Sequence, residues 1–126
     1  MTIASSPTAP WPKELRLSDG GRLLTVAFDD GDRHALSAEY LRVESPSAEV
    51  QGHSPAQRQT QSGKRDVTIT QIQPTGNYAV RLIFSDGHST GIYTFAGIHE
   101  LAVKKDAKWA AYEAELAAKG LSRDPR

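Results

Sequence analysis

The chain has 126 residues, of which 38% are hydrophobic, and it carries 15 Lys and Arg against 15 Asp and Glu. This length fits one domain with a small core, because single domains most often have about 100–150 residues. The balanced charge weakens the case for nucleic-acid or membrane binding, because the chain has no net positive charge to attract either of them. The absence of cysteine excludes disulfides, iron–sulfur ligation by thiolates and a cysteine nucleophile.

The N-terminal residues 1–12 contain three prolines, Pro7, Pro10 and Pro12, among Ser, Thr and Ala. This composition predicts a flexible lead-in. The segment has neither the basic start nor the apolar run of a secretory signal, and no stretch of the chain approaches the ~20 apolar residues of a membrane helix. We therefore expect a cytoplasmic protein with no membrane association.

Three short strands are predicted next, at residues 13–17, 22–28 and 33–36, because polar and apolar side chains alternate in each. Turns rich in Gly and Asp separate these strands. Loops this short join antiparallel neighbours, since a parallel crossover needs a dozen or more residues. The first part of the chain therefore predicts a small antiparallel meander.

A short helix is predicted after the meander, with Ser37 as its cap and Tyr40 and Leu41 on its buried side. Pro46 argues against a long continuation of this helix. The segment 51–65 that follows is rich in Gln, Ser and Gly and has almost no apolar side chains. It predicts a long mobile loop, since loops of this length are usually functional or disordered.

A second set of strands is predicted at residues 67–72, 78–84 and 89–93, with Asp86-Gly87 as the hairpin turn before the last strand. One face of the middle strand carries the apolar side chains Tyr78, Val80, Leu82 and Phe84. Such alternation is typical of a strand with one buried face.

Two helices are predicted to end the chain. The first begins near Phe95, and the second runs from Asp106, as its N-cap, to Lys119, with Gly120 ending it. The apolar stripe of the last helix consists of Trp109, Tyr112 and Leu116. We expect the tail 121–126 to fray.

Together these elements predict an α+β fold. Its centre is a small antiparallel β-sheet core made of two hairpin-plus-short-helix units, and a C-terminal helix follows. We place the core domain at residues 13–104, the C-terminal helix at 105–120 and the tail at 121–126.

Four histidines are the first candidates for metal or acid–base chemistry: His34, His53, His88 and His99. They are scattered, and no His-x-Asp or His-Glu-x-x-His pattern supplies the ligand spacing of a zinc site. A histidine that follows a hairpin turn, as His88 does, more often holds the turn through hydrogen bonds. We therefore expect no bound metal or other cofactor.

Two strings far apart in the chain resemble a known domain: Leu41-Arg42 with Ser45-Pro46-Ser47-Ala48, and Asp86-Gly87-His88 with Thr90-Gly91-Ile92-Tyr93. They are similar to the N-terminal domain of the gamma-butyrobetaine hydroxylases, which also occurs as a stand-alone bacterial protein of unknown function. The resemblance covers the predicted core domain. It does not extend to the catalytic half of those enzymes, a double-stranded β-helix with a His-x-Asp…His iron triad, and so it implies no hydroxylase activity.

The resemblance also implies a vestigial zinc site. In the hydroxylases the first string carries a Cys-x-Cys-x-x-Cys cluster, and a histidine of the second string completes the zinc ligands. The corresponding positions here are Ser45, Ser47 and Val50, with His88 retained. Serine hydroxyls are poor zinc ligands, so we expect hydroxyls near His88 in place of a metal.

A serine hydrolase must be considered if Ser45 or Ser47 lies beside His88. The sequence has no Gly-x-Ser-x-Gly elbow. It also identifies neither an orienting acid nor an oxyanion loop. We therefore expect that the protein is not an enzyme.

Two functions remain open. The resemblance implies a binding or assembly role, because the domain is implicated in subunit contact in the hydroxylases and is appended to iron–sulfur carrier ATPases. We expect a non-catalytic protein-interaction module with a protein partner or as a homodimer. Its candidate partner contacts are Arg42, His53, Arg58 and Trp109. The alternative is a small-ligand or metal-binding protein that uses His88, with His53 as a second candidate. No nucleic-acid partner is expected, because the basic residues lack interleaved aromatic side chains.

Overall fold

A computed structural model of the protein describes residues 11–125, which form two three-stranded antiparallel sheets and four helices. The first sheet contains β1 (Pro12–Ser18), β2 (Leu23–Phe28) and β3 (Arg33–Ser37) in that order. The second contains β4 (Ile69–Thr75), β5 (Ala79–Phe84) and β6 (Ile92–Thr94). The helices are α1 (Ala38–Val43), α2 (Ala48–Gln51), α3 (Phe95–Val103) and α4 (Lys105–Lys119). The predicted α+β class and the two strand-and-helix units are confirmed.

The central strand of each sheet supplies the regular part of the core. In β2 the side chains of Leu24 and Val26 are fully buried, and in β5 that of Leu82 is as well. The period of two places these residues on one face, which packs on the helices, while the other face stays more open. Removing each such side chain from water contributes about 1.5–3 kcal/mol.

One hydrophobic core joins the two sheets, although no strand of one pairs with a strand of the other. Side chains from both sheets belong to the same buried cluster, and the helices complete it. Two tyrosines add polar cross-links inside it. Tyr40 Oη in α1 donates to the C=O of Leu101 in α3 at 2.7 Å, and Tyr93 Oη in β6 donates to the C=O of Leu41 at 2.5 Å. Both hydroxyls are therefore satisfied where water is excluded.

The second sheet differs from the prediction in three places. β4 begins at Ile69 and runs to Thr75, later than expected. β6 has only three residues, because residues 89–91 lie against the α1–α2 connection and do not pair with β5. There the hydroxyl of Thr90 is hydrogen-bonded to that of Ser47. Tyr78 is 53% exposed and does not share the buried face, because it lies in the turn before β5.

The helix ends show which local signals were sufficient. Ser37 caps α1 as predicted, since its Oγ accepts the N–H of Tyr40 at 3.0 Å. Gly120 ends α4 as predicted, with φ at +65°. Asp106 is not the N-cap of α4: the helix begins one residue earlier, at Lys105, and Asp106 lies in its first turn. There its carboxylate still complements the helix dipole.

Helix α2 was not predicted from the sequence. It is a single turn, capped by Ser47, whose Oγ accepts the N–H of Glu49 at 3.1 Å. Pro46 separates it from α1, as expected for a residue that cannot continue a helix. The chain therefore turns sharply between the two helices and exposes the face of α2 that carries Glu49.

The segment after α2 is irregular, apart from one 3₁₀ turn at Pro55–Gln57. Its predicted mobility stays a prediction, but backbone hydrogen bonds join it to other parts of the chain. The N–H of Gln59 donates to the C=O of Val50 at 2.7 Å, and the N–H of Gly63 donates to the C=O of Ser122 at 2.9 Å.

The prediction of a frayed C-terminal tail is wrong for residues 121–125. Arg123 forms two hydrogen bonds of 2.8 Å to the carboxylate of Glu39 in α1, which is only 6% exposed. The guanidinium also lies 5.0 Å from the ring of Trp109. A buried carboxylate needs a partner, and the tail supplies it. Residues 1–10 and 126 lie outside the described part of the chain, and with them most of the predicted lead-in. No helix within residues 11–125 combines the length and the apolar character that crossing a bilayer requires.

We expect Arg123→Ala to lower the free energy of unfolding by about 2 kcal/mol, because it leaves the buried carboxylate of Glu39 unpaired. Urea unfolding measures this. The matched control is Arg65→Ala, which removes an arginine from an exposed pair with Asp124 and should cost less than about 0.5 kcal/mol. Equal losses in the two variants would contradict a role for the tail in stabilising α1.

Candidate functional site

The candidate site lies where the end of α1 meets the turn between β5 and β6. Ser45 follows α1, and His88 follows β5. The hydroxyl of Ser45 and the Nε2 of His88 form a hydrogen bond of 2.9 Å. Ser45 is fully buried and His88 is 8% exposed. The structure therefore brings together the two residues that the resemblance placed side by side.

A carboxylate completes the row of polar groups. Glu49 Oε1 lies 3.3 Å from Nδ1 of His88, on the side of the ring opposite Ser45. The arrangement has the order serine, histidine, carboxylate that nucleophilic hydrolases use. The sequence identified no orienting acid, and the structure places Glu49 in that position. Glu49 could not be identified from the sequence, because α2, which was not predicted, places its side chain beside His88.

The surroundings of Ser45 leave no room for a substrate. Its Oγ also accepts the backbone N–H of Ser47 at 3.2 Å. Gly91 closes the other side, where a Cβ would lie 2.5 Å from the same Oγ. A nucleophile needs a position about 3 Å away that the reacting carbon can occupy. In this conformation packed protein atoms fill the approach to Ser45.

The carboxylate of Asp86 anchors the same junction from the turn. Its Oδ2 accepts Arg42 Nε at 2.9 Å and Lys64 Nζ at 2.6 Å, and its Oδ1 accepts the backbone N–H of His88 at 3.1 Å. Burial raises the pKa of Asp86, but the hydrogen bonds from Lys64, from the His88 N–H and from Arg42 outweigh it and lower that pKa to about 2. Arg42 is buried, and its Nη1 has no hydrogen-bond partner within residues 11–125, so its guanidinium relies on Asp86.

The imidazole of His88 is held in its neutral form. Burial lowers the pKa of His88, and the positive charge of Arg42 adds to this, while the carboxylates of Glu49 and Asp86 oppose it and Lys64 reinforces it. A neutral imidazole donates through one nitrogen and accepts through the other. It can therefore link Ser45 and Glu49 in one row.

The other positions of the implied zinc site also have protein partners. Ser47 Oγ is hydrogen-bonded to Thr90 Oγ1 at 2.8 Å. Val50 is buried in α2 and offers no donor atom to a metal. Zinc in proteins takes thiolate, imidazole or carboxylate ligands, so two hydroxyls and a valine do not fit it. Within residues 11–125 no three His, Cys, Asp or Glu side chains are grouped as metal ligands would be.

The four predicted partner contacts, Arg42, His53, Arg58 and Trp109, differ in how far they are exposed. Arg42 is buried against Asp86, as described above. Arg58 is also largely enclosed: it pairs with Glu44 at 3.3 Å and Glu115 at 3.1 Å, so it is not the solvated loop charge that the sequence indicated. His53 is exposed, and Trp109 is half-buried beneath Arg123.

Comparison with known proteins identifies relatives of this fold. The family model described as gamma-butyrobetaine hydroxylase-like, N-terminal, matches residues 15–99. Two NMR solution structures are 44% and 40% identical to the chain, each with a TM-score of 0.80. The first similarity covers 94% of this chain and 93% of the other, and the second covers 98% and 92%.

A crystal structure from Acidithiobacillus ferrooxidans is also similar. It shows a protein of unknown function in the DUF971 family, 38% identical, with a TM-score of 0.61 over 73% of this chain and 92% of that one. No curated protein matches the chain. These relatives establish the fold.

We expect the stability of the protein to depend on pH through His88. The folded pKa is lowered, so the unfolded chain binds a proton that the native state does not, and the free energy of unfolding falls as the pH drops below about 6.5. Urea unfolding at about pH 7.5 and about pH 5.5 measures this. In His88→Gln the fall should be smaller, because the titrating group is gone.

His53→Gln is the matched control, since it removes an exposed imidazole. It should keep the pH dependence of the wild type. A dependence that is the same in His88→Gln and in the wild type would contradict the neutral buried state of His88.

Proposed function

We propose that this chain, which belongs to the gamma-butyrobetaine hydroxylase-like N-terminal family, is a non-catalytic module that binds another protein. The observation that carries this proposal is the burial of Ser45, whose hydroxyl has every side occupied by protein. In this proposal the serine, the histidine and Glu49 join α1 and α2 to the turn after β5 and do not act on a substrate.

Ser45, His88 and Glu49 lie in the order of a catalytic triad, but the burial of Ser45 is the stronger evidence and argues against catalysis. An acyl-transfer enzyme needs an approachable nucleophile and donors that stabilise the oxyanion. Reaching Ser45 would require the α1–α2 connection to separate from Gly91, which would break the hydrogen bond between Ser47 and Thr90 as well. Polar residues joined in this way are typical of a structural network.

Exposed apolar side chains support the binding part of the proposal. Tyr78 is 53% exposed, Trp11 is 51% exposed and Ile92 is 44% exposed. The first two both contact Phe95: its ring centroid lies 5.0 Å from that of Trp11, and its N–H donates to the C=O of Tyr78 at 2.8 Å. Aromatic residues of this kind are enriched at the centres of protein–protein interfaces.

The alternative, a metal or small ligand bound by His88, has less support. Both ring nitrogens of His88 already contact protein, one the hydroxyl of Ser45 and the other the carboxylate of Glu49. A ligand would have to displace one of these contacts. No observation joins His53 to this site, and a cytoplasmic location likewise stays a prediction.

Purification of the untagged protein from its native cells, followed by native mass spectrometry, tests the proposal. We expect a stoichiometric complex with another protein for the wild type and for Ser45→Ala, because the serine takes no part in binding. Tyr78→Ser should weaken the complex by about tenfold, which corresponds to the loss of one aromatic contact of roughly 1.4 kcal/mol. Val103→Ser, at an exposed position near the other end of α3, is the control and should bind as the wild type does.

Two outcomes would contradict the proposal. One is a monomer without any partner in the native extract. The other is a folded Ser45→Ala protein that loses a hydrolytic activity present in the wild type.

A further inference from the structure

Strand β6 lies at the edge of the second sheet, and within residues 11–125 it pairs with β5 alone. The N–H of Phe95 donates to the C=O of Tyr78, which makes these two residues a hydrogen-bonded pair. In an antiparallel ladder bonded and non-bonded pairs alternate. Tyr93 therefore points both backbone groups at Val80, while Ile92, opposite Arg81, points its N–H and C=O away from the sheet.

The outward edge of β6 is open within the described part of the chain. Among residues 11–125 the N–H and the C=O of Ile92 have no hydrogen-bond partner. The side chain of Ile92 is also 44% exposed. An edge of this kind is a template for an added strand. Proteins usually protect such edges, and those that stay open are often used to bind an extended segment.

A depression lies directly beside this edge. Its volume is about 320 Å³, enough for one long side chain, and β6 forms one wall. Leu101 contributes to the apolar part of its lining, and Glu44, Glu100 and Lys108 contribute the charges. A segment paired with β6 would therefore have a place for one of its side chains.

The charges of the depression favour a cationic side chain. Two carboxylates, Glu44 and Glu100, and one ammonium, Lys108, line it, and Glu100 already has an exposed ion pair of 3.0 Å with Lys104. The side chain of Glu44 is only 9% exposed, and Arg58, at 3.3 Å, is its one ion-pair partner within residues 11–125 and is shared with Glu115 at 3.1 Å. Burial raises the pKa of Glu44, so its anionic form is poorly solvated. A further cation would stabilise that form.

We propose that an extended segment of a partner protein adds to the edge of β6 as a fourth strand and places a Lys or Arg side chain between Glu44 and Glu100. This inference rests on the proposed binding function and specifies where the partner binds and with which chemistry. The backbone hydrogen bonds of Ile92 supply the pairing, and the two carboxylates supply the preference for a basic residue.

A second copy of the chain fits this edge less well. Pairing β6 with β6 of another copy would bring two depressions together, each with the incompletely paired carboxylate of Glu44 in its lining. Like charges placed together across an interface oppose association.

Blocked heptapeptides of alternating Thr and Val, with Arg, Leu or Glu at the centre, are the probes. NMR titration of the isotope-labelled protein measures their binding at up to millimolar concentration. We expect the Arg peptide to bind about tenfold more tightly than the Glu peptide, with the Leu peptide between them. The amide signals of Ile92 and Thr94 should shift, and the amide of Ile92 should become protected from exchange.

Ile92→Pro removes the outward N–H without removing a ladder bond, so the sheet should still form and peptide binding should be lost. Arg33→Pro is the matched control. The N–H of Ala38 donates to the C=O of Arg22, and the same alternation then directs the N–H of Arg33 away from β2 at the free edge of the first sheet. This variant should bind the Arg peptide as the wild type does.

Two charge variants test the cationic preference in opposite directions. Glu100→Gln should weaken binding of the Arg peptide, and Lys108→Gln should strengthen it, each by about threefold. The exposed ion pair of Glu100 with Lys104 contributes little, so Glu100→Gln should fold normally. Neither variant should change binding of the Leu peptide.

The outcomes separate this inference from the proposed function. No binding of any peptide, equal binding of the Arg and Glu peptides, or full binding by Ile92→Pro would overturn the inference. So would a wild-type homodimer that Ile92→Pro abolishes, because the edge would then belong to a second copy. If the native complex survives in Ile92→Pro, the inference fails and the proposed function stands. If no native complex exists, the proposed function fails.

Discussion

The carboxylate of Asp86 is the contact on which the junction of the two units depends. The two sheets share no strand pairing, so their relative position rests on the common core and on polar contacts between α1 and the turn after β5. Asp86 accepts hydrogen bonds from Arg42 in α1, from Lys64 in the long loop and from the backbone of His88. One charged group in the turn therefore holds three segments that are distant in sequence, and its low pKa reflects those bonds.

The polar row beside Asp86 shows why geometry alone does not define an active site. Ser45, His88 and Glu49 lie in the order of a catalytic triad, yet the serine is enclosed. A hydroxyl that bonds to a neutral imidazole and accepts a backbone N–H satisfies groups that would otherwise be buried without partners. The same arrangement that activates a nucleophile at an open site stabilises the chain at a closed one.

Local patterns predicted much of the fold, and distant contacts explain most of what they missed. Alternation located β2 and β5, and the signals at Ser37 and Gly120 correctly marked a helix start and a helix end. The position of Glu49 depends on a one-turn helix too short to show a period. The ordered tail depends on a pair that spans 84 residues, between Arg123 and Glu39, which no local pattern can reveal. The contact of Ser45 with His88 followed from the family resemblance alone.

Native-state amide hydrogen exchange on Asp86→Asn tests most directly whether this junction holds the two units together. Asparagine keeps the acceptor for the N–H of His88 but leaves the buried guanidinium of Arg42 without an ionic partner. We expect the slowest amides of both sheets, such as those of Val26 in β2 and Val80 in β5, to lose protection by the same factor. Loss confined to residues 85–91, with Val26 and Val80 exchanging at wild-type rates, would contradict the central role of the junction.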